Sequence, residues 1–266
     1  MILHKNMWTR LLALALAAIV CLPVLVACGD EPAVTTPQND GGVTPGGDTS
    51  VGGTPKKRVA LTFDDGPQHY QERTKEIVDE LEKYGFHATF FVVGNRVAGG
   101  DALAYAVEKG NELGIHGYTH EVYYDTCTNA DYNTEINKTL AEIQKAVPGY
   151  KVRLMRPVGG RMTEERIAAS PYSVILWNVD SLDYEHTYKK GDSDEVAAEK
   201  VDVIVENVMS KVSDGDVILM HDIYESTFDA VVVLLAELDR QGYEVVTVSE
   251  LFGDSLEPGK KYYNYN

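Results

Sequence analysis

The chain predicts an α/β domain, a parallel β-sheet covered by helices, and three observations carry that reading. Short apolar runs alternate with amphipathic helical stretches from residue 58 onward. Polar residues capable of chemistry stand at the carboxyl ends of several of those runs. The first 57 residues share none of this pattern. At 266 residues there is room for one large domain or two small ones, and a hydrophobic share of 44% supports a core.

In order, Arg58–Asp64 reads as a strand and Tyr70–Tyr84 as an amphipathic helix ended by Gly85. Ala88–Gly94 is a buried strand, and Asp101–Gly110 a helix before the strand Glu112–Gly117. A long helix covers Asp131–Val147. Strands recur at Val152–Arg156, Ser173–Val179, Asp216–His221 and Tyr243–Val248, with helices at Thr163–Ala169, Asp194–Lys211 and Thr227–Gln241. About seven such strands can close into a barrel or stay open, and periodicity does not choose between these.

The amino-terminal segment is not part of this fold. Lys5 and Arg10 precede an apolar stretch, Leu11 to Ala27, broken by Pro23, which is the layout of an export signal. A single-pass anchor is the competing reading. Leu25-Val26-Ala27-Cys28 resembles the bacterial lipobox, which favours cleavage before Cys28 and lipid on that cysteine. The Gly-, Pro- and Thr-rich residues up to 57 make a tether spanning on the order of 30 Å. The expected layout is thus a signal over 1–27, a lipidated tether over 28–57, the catalytic domain over 58–252 and a frayed tail over 253–266. The expected address is the outer side of a bacterial membrane or its envelope.

Charge and cysteines narrow the classes. A net charge of −17 argues against nucleic acid as the main partner. Cys21 lies in the signal and Cys28 would carry lipid, which leaves Cys127 alone, a structural or incidental thiol rather than a nucleophile, with no internal disulfide unless Cys28 is enlisted.

Asp64 and Asp65 close the first strand, and Gly66-Pro67 follows at once. Successive strand side chains face opposite sides, but that turn lets both carboxylates look out from the strand end. Downstream, His116 and His120 are four residues apart, a spacing that puts two imidazoles on one face of a helical turn. One aspartate and two histidines make a three-ligand metal site with positions open to water and substrate, and the other aspartate is left free as a base. This predicts a hydrolytic metal site.

Five motifs then occur in an order that resembles the polysaccharide deacetylases of carbohydrate esterase family four, the NodB-like domain. They are Thr62-Phe63-Asp64-Asp65-Gly66-Pro67, His116-Gly117-Tyr118-Thr119-His120, Arg156-Pro157-Val158-Gly159-Gly160, Asp180-Ser181-Leu182-Asp183-Tyr184 and Leu219-Met220-His221-Asp222. The likeness covers roughly residues 58–252 and implies a distorted parallel (β/α) barrel of about seven strands.

It further implies Asp65, His116 and His120 as ligands of a divalent ion, zinc foremost, with cobalt or nickel also suited. Asp64 would be the general base, oriented by Arg156. His221 would be the general acid, with Asp180 raising its proton affinity and fixing its orientation. The backbone N–H at Gly159 would hold the oxyanion, Leu219 would line a pocket for the acetyl methyl, and Tyr184 would face the sugar. Tyr118, Tyr123, Tyr124 and Trp177 are further candidates for stacking on sugar rings, or for packing. His69, His87 and His186 receive no role.

Three departures from the family stand out: Gly117 where a hydroxyl residue is usual, Gly159 where an aromatic is usual, and Tyr184 where Trp is common. The implied activity is N-deacetylation of N-acetylglucosamine units in an extracellular polysaccharide, with peptidoglycan or a chitin-like chain as substrate. The rival readings are an O-acetyl (xylan) esterase using the same residues and a non-catalytic envelope glycan-binding protein.

Overall fold

A computed structural model describes residues 56–67, 71–97 and 99–265. The export signal, Cys28, all but the end of the tether, and His69 lie outside the described residues.

The first half runs β1 (Lys57–Asp64), α1 (Gln71–Glu82), β2 (Thr89–Val92), α2 (Ala102–Glu108), β3 (Glu112–Ile115), α3 (Asn129–Ala146) and β4 (Leu154–Met155). The second half runs α4 (Glu164–Ala168), β5 (Ser173–Ile175), β6 (Val179–Asp180), α5 (Asp194–Met209), β7 (Val217–His221), α6 (Glu225–Arg240), β8 (Tyr243–Val246), α7 (Val248–Phe252) and β9 (Lys261–Tyr262). Four of the helices begin at a Ser or Thr cap: Thr128, Thr163, Ser193 and Thr247 each accept from a backbone N–H in the first turn. Thr128 accounts for α3 starting two residues ahead of the expected Asp131.

The strands lie in the order β6-β7-β1-β2-β3-β4-β5-β9, with β8 also paired to β1, and all of these pairings are parallel. This is the distorted parallel barrel the motifs imply, with nine strands where seven are expected. One extra strand arises because Ser173–Val179 does not run through. β5 belongs to one end of the sheet and β6 to the other, so Leu176, Trp177 and Asn178 cross the barrel's seam. Arg156 fills that break: its guanidinium donates to the carbonyls of Ile175 (3.0 Å) and Leu176 (3.1 Å). Those buried carbonyls stand at the last residue of β5 and just beyond it, so a donor must be found for them.

The second extra strand is β9. The tail expected to fray instead pairs Lys261 and Tyr262 with β5, and Asn264 bridges Asp216 just before β7. Tyr262 and Tyr265 pack on Phe252, at 5.2 and 5.8 Å between ring centres. An apolar contact that the polar, lysine-bearing sequence conceals thus ties the tail down.

Period-two alternation sorts β1 into two faces. Val59, Leu61 and Phe63 enter the cluster between sheet and helices, while Ala60 belongs to a smaller cluster with Phe91, Leu154, Ile175, Val217 and Val246. Helix α7 adds Val248, Leu251 and Phe252 to that inner cluster. On β1 the inward series continues Ala60, Thr62, Asp64, and register aligns it with Val217, Leu219 and His221 on β7. The barrel interior therefore passes from apolar at the base to ionisable at the carboxyl rim, within two steps of each strand.

Candidate active site

At the rim, Asp64 continues the strand and points inward. Its Oδ1 accepts from Arg156 at 2.8 Å, and its Oδ2 lies 3.5 Å from His116 Nε2. Arg156 is fully buried against the face of Phe91, 4.3 Å away, and also donates to Thr62 Oγ1. Burial lowers its proton affinity, but the Asp64 charge opposes this. A buried guanidinium with every branch engaged cannot rotate, so Asp64 is held from one side only.

Asp65 has φ 82°, outside the strand region, and this left-handed residue is what puts adjacent carboxylates on one side. Arg96 donates to its carbonyl at 2.8 Å. Gly66 follows because nothing larger fits: a Cβ there would fall 2.2 Å from Asp222 Oδ2. Asp222 is itself fully buried, bonded by Thr74 Oγ1, and burial pushes its carboxyl up to about 7. It packs beneath the Asp65 turn as a support that the fifth motif contained but spacing did not single out.

His116 donates from Nδ1 to the Arg156 carbonyl (2.8 Å), which leaves the Nε2 lone pair facing the two aspartates. Burial lowers its proton affinity, against the pull of Asp64 and Asp65. A neutral imidazole with one fixed lone pair is the form that binds metal. His120 sits 5.3 Å from it, ring to ring.

The helical turn expected between these histidines is absent. His120 has φ 65° and Gly117 φ 91°, so the segment is an irregular loop that folds the second imidazole back toward the first. Glu135, buried on α3, holds this loop: it accepts from the backbone N–H of Tyr118 (2.6 Å) and Thr119 (2.9 Å) and from Thr119 Oγ1 (3.0 Å). A Cβ at Gly117 would meet Tyr124 Oη at 2.9 Å and Glu135 Oε2 at 3.3 Å. The loop that a hydroxyl at position 117 would help fix is held here by a carboxylate from α3, a tie invisible to local spacing.

The ligand atoms of Asp65, His116 and His120 lie within 4.8 Å of one another. His120 Nε2 is 2.9 Å from Asp65 Oδ1, and that buried oxygen has no hydrogen-bond partner among the described residues. Burial would raise the Asp65 carboxyl, but the close contact with His120 and the other histidines around it outweigh this and hold it well below the usual range. A buried acceptor and imidazole lone pairs converging without a proton to share are what a cation would satisfy. Two imidazoles and a carboxylate suit a first-row divalent ion.

Across the rim stands His221, and here the sequence expectation is corrected. Its partner is Asp183, not Asp180. Asp183 is fully buried and accepts from His221 Nδ1 (2.7 Å), from the His221 backbone N–H (2.7 Å) and from Thr227 Oγ1 (2.7 Å). Asp180 pairs in register with Leu219, two residues short of His221, and its Oδ1 instead accepts from the Leu182 N–H at 2.9 Å. Leu182, with φ 55°, then turns the chain back so that Asp183 comes under the imidazole. Burial would lower the proton affinity of His221, but the bond to Asp183 and the charges of Asp183, Asp64 and Asp65 push it up to about 9.

Of the expected substrate contacts, Leu219 lies buried on the inner face of β7, and Tyr184 stands 43% exposed with its ring edge-on to His221 at 5.6 Å. Gly159 is exposed in the loop after Arg156. Tyr124 is fully buried and serves packing, while Trp177 is half-buried beside Gly160. His87 is a half-exposed residue near Glu250 at the opposite end, and Cys127 is a free thiol beside Arg166.

The comparisons agree with this geometry. The sequence profile described as polysaccharide deacetylase matches residues 51–171. The peptidoglycan-N-acetylmuramic acid deacetylase PdaC of Bacillus subtilis is 38% identical over 197 residues, covering 74% of this chain and 39% of PdaC. The peptidoglycan-N-acetylglucosamine deacetylase PgdA of Listeria monocytogenes is 34% identical, covering 78% of this chain and 41% of that one. The chain thus spans well under two thirds of both. A peptidoglycan-N-acetylglucosamine deacetylase of Bacillus cereus, 32% identical, is matched over 88% of its length and 74% of this chain. The solved structure of PdaC superposes with a TM-score of 0.65 at 36% identity, covering 74% of this chain and 90% of that one. Fold, site and sequence together establish that the chain belongs to the polysaccharide deacetylase family, carbohydrate esterase family four.

Proposed function

We propose that this protein is a divalent-metal-dependent hydrolase that removes N-acetyl groups from N-acetylglucosamine units of an extracellular polysaccharide, with peptidoglycan as the leading substrate. The observation that carries the reading is the division of labour at the rim. Asp64 is held by Arg156 on one side, and a protonated His221 is held by Asp183 on the other. The relatives named for peptidoglycan deacetylation support the substrate.

A divalent ion held by Asp65, His116 and His120 would polarise the acetyl carbonyl and acidify the attacking water. Asp64 Oδ2, the oxygen not committed to Arg156, takes the proton from that water. The backbone N–H at Gly159 supports the developing oxyanion, and Leu219 receives the acetyl methyl. His221 then donates its Nε2 proton to the departing amine; an amide nitrogen leaves poorly unless protonated. The products are acetate and a free amino sugar. Lipid on Cys28 and the tether that follows would station the domain beside the cell envelope, which favours the same substrate.

Acetate release from peptidoglycan, chitin oligosaccharides and acetylated xylan tests this, each with chelator, with zinc or cobalt restored, and with Asp64→Asn. Metal-dependent release from the N-acetylated glycans, lost in the variant, is expected. Release from xylan alone would replace the proposal with the esterase reading. An intact, metal-loaded protein that releases nothing would favour a glycan-binding role.

A further inference from the structure

Among the described residues, the exposed large apolar side chains are Tyr123, Tyr184, Val196, Tyr263 and Tyr265. Tyr263 and Tyr265 belong to the tail at the amino end of the strands, where Tyr265 N–H reaches the Gly215 carbonyl, and Val196 lies on the outer helix α5. Only Tyr123 and Tyr184 stand on rim loops. Tyr184 touches His221, while Tyr123 rises from the loop three residues past His120. Its residue type allows either stacking on a sugar ring or packing, and its surroundings decide between them.

It is not a loose surface tyrosine. The Arg161 guanidinium stacks over its ring, 4.3 Å from the centre, and Arg161 Nε is itself fixed by Asp125 Oδ2 at 2.9 Å. The backbone on its carboxyl side is tied to the Gly159 loop, through Tyr124 N–H to the Arg161 carbonyl (3.2 Å) and a bridge between Tyr124 and Met162. Arg166 also donates to the carbonyls of Tyr124 and Cys127. With this bracing, Tyr123 still keeps 40% of its surface exposed.

Its position is equally specific. The ring edge, at Cε1, lies 3.5 Å from where a side chain at Gly159 would begin. Tyr123 therefore stands on the flank of the rim beside the bare backbone of residue 159, within contact distance of any side chain that position could carry. A rigid, exposed aromatic face costs little entropy to present and matches the apolar C–H face of a pyranose ring.

We infer that Tyr123 is a specificity-determining platform on which a sugar unit adjoining the reacting one stacks. This rests on the deacetylase reading for the reaction but not for the binding. It selects for a chain of linked sugars over a single unit, because the platform lies outside the reacting position.

The test is calorimetric titration of the metal-loaded full chain with tetra-N-acetylchitotetraose and with N-acetylglucosamine, using wild type, Tyr123→Ala and Tyr123→Phe. Expected is a loss of about tenfold in tetramer affinity for Tyr123→Ala, none for Tyr123→Phe, and no change in either for the monomer. Acetate release should show the same split, a raised KM at unchanged kcat. Equal tetramer affinity in wild type and Tyr123→Ala overturns the inference. So does an equal loss in Tyr123→Phe, which would make the hydroxyl rather than the ring the contact. Wild type that binds the tetramer differently from Tyr123→Ala, yet releases no acetate, retains the platform and overturns the deacetylase reading alone.

Discussion

Replacing Asp183 by Asn separates the two aspartates of the fourth motif and tests the acid side of the site. Asp183 accepts three hydrogen bonds at 2.7 Å, two on Oδ2 and one on Oδ1 from His221 Nδ1. Asn keeps the shape but offers one acceptor oxygen, so a buried N–H2 must face one of these donors. The charge that opposes desolvation of the imidazolium is also lost. A fall in His221 from about 9 to its ordinary 6.5 removes about 3 kcal/mol of preference for the protonated form. At pH 8 the protonated fraction then drops from roughly nine-tenths to roughly one-thirtieth. Amide hydrolysis, which needs that proton, should slow about 30-fold at this pH, and the alkaline limb of the kcat profile should move down. The assay is acetate release from chitin oligosaccharide between pH 6 and 10, with NMR titration of the His221 ring in metal-free protein. Asp180→Asn, whose carboxylate serves Leu182, should leave both curves in place. An alkaline limb that moves in Asp180→Asn and not in Asp183→Asn would refute the assignment.

Three further outcomes are expected. Asp64→Asn should lower kcat by about 10²–10⁴-fold while equilibrium dialysis still finds one ion per chain, because Asp64 is outside the ligand triad. Glu135→Ala should weaken metal binding by about 10–100-fold in competition with a chelating dye, since the loop bearing His120 loses three hydrogen bonds. Glu135→Gln should recover most of that affinity, as one carbonyl oxygen can accept both N–H groups and the amide can donate to Thr119 Oγ1. In metal-free protein, His221 binds its proton more tightly folded than unfolded. Its stabilisation is thus complete below about pH 6.5 and lost as pH rises through about 9. Tm should fall over that window in wild type and stay flatter in Asp183→Asn; a wild-type Tm that rises there would contradict the sign.

Much of the architecture was legible because burial imprints a period. The inward and outward series of β1 and the amphipathic helices appear directly in the order of residues. What escaped is where a strand's backbone partners are non-local. Ser173–Val179 reads as one apolar run, yet its carbonyls at Ile175 and Leu176 are taken by Arg156, a side chain from another strand end. The tail reads as polar and frayed, yet Tyr262 and Tyr265 find Phe252. Neither partner can be recognised from local composition.

The site shows the same boundary at finer scale. Asp64, Asp65, His116, His120 and His221 follow strand ends, and strand ends of a parallel barrel converge whatever the loops do. Their grouping therefore survives an error in local geometry: the histidines meet without the helical turn that spacing suggested, because Gly117, His120 and Glu135 bend a loop to the same result. The choice between Asp180 and Asp183 has no such protection. Both lie in one motif, and strand alternation alone favours the residue still in the strand. The left-handed Leu182 reverses that preference by turning the chain after β6, and a leucine gives no compositional sign of a positive φ. Residues that act from the end of a regular element can be found by pattern; a residue that acts from within the following turn depends on dihedral angles that pattern does not encode.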